Sequence, residues 1–97
     1  MTQNNLGLAL GVLAGRSEGP LAAAYLEQSV AAFRSALQVI TEANFPRQWL
    51  MIMENLARIY ELKKDWTNAR QIYEKLLHHS PGSADFQSKI KELAGEN

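Results

Sequence analysis

Cysteine is absent from the chain, which excludes disulfides, thiolate metal sites and a cysteine nucleophile. Surplus charge is absent too: ten Lys and Arg balance ten Asp and Glu, for a formal net charge of +0. Phosphate backbones are held by a basic surplus on at least one face, so nucleic acid is not an expected partner. No long-range field steers a ligand either. No apolar run approaches the roughly 20 residues that a membrane-crossing helix needs. The nearest is LGLALGVLAG, from Leu6 to Gly15. It looks like the apolar stretch of a signal peptide but has no Lys or Arg ahead of it. It reads better as a buried amphipathic helix, and the chain as soluble and cytoplasmic with no membrane partner. Nowhere do apolar and polar residues alternate with period two over strand length, so no sheet is expected.

What is present is helical periodicity. In 97 residues, 46% of them hydrophobic, there is enough apolar material for one compact domain. Five helices are predicted, the first over about 2–14. The loop Gly15-Arg16-Ser17-Glu18-Gly19 follows, and Pro20 suits the first turn of a second helix running to about Glu42. Leu26, Val30, Phe33, Leu37 and Ile40 recur there at steps of four and three, which makes one apolar stripe. Asn44-Phe45-Pro46 ends it, because the residue before proline is pushed out of the helical region. A third helix is predicted over about 47–63. A fourth runs from Trp66 to about His79 with Asp65 as its N-cap, and Ser80-Pro81-Gly82 breaks the chain after it. The fifth, about 83–93, has Phe86, Ile90 and Leu93 on one side and polar residues elsewhere.

The chain also repeats itself. Met53, Leu56-Ala57, Tyr60, Ala69, Tyr73 and Pro81 fall at the spacings of the tetratricopeptide (TPR) signature. Lys64 stands where glycine is usual in the tight turn between the two helices of a unit. A full unit so defined covers about Leu50 to Ser83. The first half follows less closely. Asn5-Leu6-Gly7 aligns with Asn55-Leu56-Ala57, Leu10 takes the place of Tyr60, and Ser29, Phe33 and Pro46 stand for Ala69, Tyr73 and Pro81. The chain therefore resembles TPR proteins, in particular the long-period arrays of bacterial multidomain proteins. That resemblance implies an all-α fold, an α-α superhelix of helix pairs. Unit 1 would span about 2–46 and unit 2 about 47–81, with a capping helix over about 83–93. Gly7 and Ala57 are small because two helices cross closely there.

Catalysis finds no residue set. His78 and His79 are adjacent, so on a helix they point about 100° apart and cannot share one metal. They read as helix-end capping groups or as exposed. No Ser/His/Asp arrangement, phosphate loop or EF-hand loop occurs. No cofactor or metal is expected, and the chain reads as a non-enzyme.

TPR-type units line a concave surface with the first helix of each pair, and such surfaces commonly bind peptides. The expected peptide-binding residues are Asn5, Met51, Asn55, Arg58, Leu62 and Lys89. Asn offers a peptide backbone one donor and one acceptor, and Arg58 suits a carboxylate. An equally good reading makes this a solvated face on which Arg58 pairs with Glu54 or Glu61. In the chaperone-binding TPR proteins a clamp of Lys, Arg and Asn holds a carboxylate. Asn55 and Lys89 fit that pattern, whereas Asn4, Leu8 and Asp85 depart from it. The second functional reading is self-assembly, with Leu8, Val12, Tyr25, Val39 and Phe45 as the interface of a homo-oligomer.

Overall fold

Prolines and capping residues divide the chain into five helices in the computed structural model, which describes residues 2–95, with side chains from Asn5 onward. They are α1 (Thr2–Gly15), α2 (Gly19–Leu37), α3 (Pro46–Leu62), α4 (Trp66–His79) and α5 (Ala84–Gly95). No strand occurs among the described residues. Pro20 and Pro46 lie in the first turns of α2 and α3, where a missing N–H costs nothing. The Asp65 carboxylate accepts from the Asn68 N–H at 3.3 Å and caps α4 as expected. The Ser83 hydroxyl accepts from the Phe86 N–H at 3.3 Å at the start of α5. Lys64, in the turn between α3 and α4, takes a left-handed φ of 62°.

One boundary differs from expectation. The second helix stops at Leu37 rather than near Glu42. The Gln38 N–H is shared between the Ser35 and Ala36 carbonyls, and the Val39 and Ile40 N–H groups also turn back to the Ala36 carbonyl. Thr41 and Asn44 then close a reciprocal turn. The Thr41 N–H donates to Asn44 Oδ1 at 2.7 Å, and the Asn44 N–H to Thr41 Oγ1 at 3.2 Å. Asn44 Nδ2 holds the Val39 carbonyl at 2.8 Å. These local bonds offer the backbone an alternative to the helix well before Pro46 is reached. Ile40 is still buried, but from the turn and not from a helical stripe.

Each helix packs on its neighbours in the chain, and α1 also touches α3. Phe33, Ile52, Leu76 and Ser29 are the largest side chains completely removed from solvent. Burying a side chain such as Phe33 contributes about 1.5–3 kcal/mol. Its ring lies against Gly7, where a Cβ would meet ring carbons at 2.8 Å. The Ser29 hydroxyl, also fully buried, donates to the Gly7 carbonyl at 2.7 Å and so ties α2 to α1. Of the positions aligned between the two halves, Gly7 and Ala57, Leu10 and Tyr60, Ser29 and Ala69, and Phe33 and Tyr73 are buried in both, whereas Leu6 is exposed and its counterpart Leu56 is buried. The aligned prolines differ, since Pro46 opens α3 whereas Pro81 lies in the turn ahead of α5. The molecule measures 37 × 35 × 16 Å and is a flat slab.

Candidate functional site

Residues four and seven apart share a face of a helix, and on α3 this groups Glu54, Arg58 and Glu61. From α4, Tyr73 reaches up between this face and α5. Its hydroxyl donates to Glu61 Oε2 at 2.8 Å, and its ring lies 6.3 Å from that of Phe86. Lys89 Nζ, on α5, donates to the other Glu61 oxygen at 2.9 Å. One carboxylate therefore holds α3, α4 and α5 together. Burial, then the bond to Glu61, pushes the Tyr73 phenol well above its ordinary value. The same carboxylate raises the Lys89 ammonium, against a smaller opposing effect of burial.

Above this bridge lies a cleft of about 250 Å³. Tyr73 and Phe86 form its apolar part, while Glu54, Arg58, Asp85 and Lys89 supply its charge. Lys89 is committed to Glu61. Arg58, Glu54 and Asp85 make no ion pair or hydrogen bond among the described residues. Arg58 thus pairs with neither Glu54 nor Glu61, and Glu61 bonds Tyr73 and Lys89 instead. An exposed guanidinium with five donors beside an aromatic surface can grip a carboxylate or a row of backbone carbonyls.

Of the residues expected to bind peptide, Arg58 and Lys89 meet in this cleft. Asn55 is half-buried one turn away and does not line it. Met51 and Leu62 are 52% and 58% exposed on α3 outside it, and Asn5 is exposed on α1. The side chain of Asn4 lies outside the described residues. Sequence reasoning did not place Tyr73 in a site, because its spacing marked it as core. Nor did it assign Ser83 and Phe86 to one. An aromatic residue three positions after a serine that opens a helix was the available signal.

Of the residues expected at an oligomer interface, Leu8, Val12, Val39 and Phe45 are exposed. Tyr25 is half-buried and packs against the core. Leu8 and Val12 belong to α1, while Val39 and Phe45 belong to the α2–α3 turn, so they form two groups. The histidines divide. His78 is exposed, whereas His79 Nδ1 lies 2.6 Å from Glu42 Oε2 and its ring 5.3 Å from that of Trp49. His79 therefore fastens the end of α4 to the α2–α3 turn, a long-range contact that helix-end position alone does not disclose.

Among the described residues, no group of three or more His, Cys, Asp or Glu is placed to hold a metal ion. No described helix is long and apolar enough to cross a membrane. No protein-family model matches the chain, and neither a curated protein nor a solved structure matches it.

Proposed function

We propose that the chain is a protein-interaction module of the tetratricopeptide type, two helix pairs and a capping helix, and not an enzyme. It binds an extended segment of a partner protein along α3 and α5. The cleft between α3 and α5 carries this reading: an unpaired Arg58 beside Phe86 and Tyr73, with the Glu61 bridge holding Tyr73 and Lys89 in place. Helices that pack on their chain neighbours suit a solenoid. A left-handed Lys64 where the family uses glycine, and core residues at aligned positions of both halves, suit the repeat. A dedicated receptor for carboxylate-terminated tails is disfavoured, since Lys89 is bonded to Glu61 and Asp85 adds a negative charge to the cleft. The ligand that fits is an internal peptide segment of mixed charge.

Selection of a random peptide library on the intact chain tests this. Enriched peptides are expected to lose binding to an Asn55→Ala/Arg58→Ala variant that keeps its helicity. No enrichment above background would remove the proposal.

A second reading, self-assembly, is favoured by α1. It carries no charged residue, and Leu6, Leu8, Val12 and Leu13 are all exposed on it. An uncovered apolar surface of this sort marks an interface. The two readings are compatible, because α1 lies away from the α3–α5 cleft.

A further inference from the structure

A second cavity, of about 230 Å³, opens among α2, α3 and α4. It is unlike the α3–α5 cleft in charge. Its polar lining consists of Arg34, Tyr60, Asn68, Gln71 and Lys75, two cations and no carboxylate. The rest is apolar, from Leu37, Met53, Leu56 and Ile72. On α3 it uses Met53, Leu56 and Tyr60, a different face from that of Glu54, Arg58 and Glu61.

Hydrogen bonding shows what the cavity lacks. Arg34 donates from both Nε, at 3.1 Å, and Nη2 to the Tyr60 hydroxyl oxygen. Its guanidinium is thereby fixed, with its remaining N–H groups free of any carboxylate among the described residues. Tyr60 is only 3% exposed. Its oxygen accepts from Arg34, but its own O–H has no acceptor among the described residues. A buried donor without a partner is rare in folded proteins and costly. The ammonium of Lys75 and the amide of Gln71 also have no partner there. The nearby Lys63 differs, since Glu27 neutralises it.

We infer that this cavity binds a carboxylate carried on a short apolar group. The carboxylate accepts from the Tyr60 hydroxyl and from the Arg34 N–H groups that do not bond Tyr60, with Lys75 completing the charge. The apolar group rests on Leu37, Met53, Leu56 and Ile72. A planar guanidinium matches a carboxylate with two parallel hydrogen bonds. The cavity volume is below the usual range for drug-sized ligands, so the bound group is small. Two sources share this chemistry: a free short-chain carboxylic acid, and the C-terminal residue of a peptide with an apolar last side chain. The site is separate from the cleft proposed to bind internal peptide segments and stands whether or not that cleft does.

The test titrates the full chain, followed by amide NMR, with hexanoate, hexanol, inorganic phosphate and a short leucine-terminated peptide as free acid and as amide. At least one carboxylate is expected to saturate and to shift Arg34, Tyr60, Gln71 and Lys75, while hexanol, phosphate and the peptide amide do not. Saturation by the peptide acid alone assigns the site to chain ends, and saturation by hexanoate assigns it to free acids. Arg34→Gln and, separately, Lys75→Gln should each weaken binding about tenfold, the loss expected for one charge-assisted hydrogen bond. Lys75 is exposed and unpaired, so its substitution leaves the fold intact. The inference is overturned if neither acid binds, if hexanol or the amide binds as well as the acid, or if the Lys75→Gln protein binds unchanged.

Discussion

Among the glycines, Gly7 is the one where an added methyl group meets the closest contact. A methyl group there meets the Phe33 ring at 2.8 Å, and that ring is completely buried, so the core around it must shift. Alanine is the better helix former by about 1 kcal/mol, yet Gly7→Ala is expected to destabilise by about 1–3 kcal/mol through overpacking. Denaturant unfolding checks it, and an unchanged midpoint would contradict the tight α1–α2 crossing. Lys64 presents the opposite case. Its φ of 62° strains an L-residue by about 1–2 kcal/mol, more than glycine loses in chain entropy. Lys64→Gly should therefore stabilise by about 0.5–1 kcal/mol in the same assay. Both features were legible in the sequence, from the small residue at Gly7 and from a turn that elsewhere carries glycine. The unpartnered Tyr60 hydroxyl was not, because it depends on Arg34, 26 residues away.

At the scale of elements, periodicity and caps located all five helices, and local rules decided most of their ends. The exception is α2. Its apolar stripe runs on through Ile40, so the pattern hid a stop made by Thr41 and Asn44, whose side chains bond each other's backbone. A Thr and an Asn three apart ahead of a proline were the sign of it. Contacts between elements were less legible. Glu61 on α3 meets Tyr73 on α4 and Lys89 on α5, and Glu42 meets His79, through pairings that no local spacing encodes. The Glu61 bridge has a consequence for pH. Tyr73 and Lys89 both hold their protons more tightly folded than unfolded. Below their ordinary values of 10.0 and 10.5 this stabilisation is complete. As pH rises past them, the unfolded chain releases protons that the folded chain keeps, and stability falls. Thermal unfolding between neutral pH and about pH 11 should show that decline, and Tyr73→Phe should make it shallower. A Tyr73→Phe protein with an unaltered alkaline slope would contradict the role given to this phenol.

For the whole molecule, thinness decides what remains exposed. A slab 16 Å across cannot cover both sides of its end helices, and α1 is left with Leu6, Leu8, Val12 and Leu13 in solvent. Among the described residues α1 has α2 and part of α3 against it, and an apolar face left without a further neighbour marks an interface. Self-association through α1 follows as an expected outcome. Sedimentation across a hundredfold dilution should show a concentration-dependent mass, which Leu8→Glu with Val12→Glu abolishes; a constant monomer mass would rule it out. Tyr25 contributes less to such an interface than its sequence position suggested, because it is half-buried against the core. The central claim, however, concerns the cleft between α3 and α5. Its most direct measurement is an amide NMR titration of the intact chain with a peptide selected from a random library. Saturable shifts are expected at Glu54, Arg58, Asp85 and Lys89, with binding weakened at least about tenfold by Arg58→Ala, the loss of one charged hydrogen-bonding group. Shifts confined to other surfaces, with Arg58→Ala binding as tightly as the parent, would contradict it.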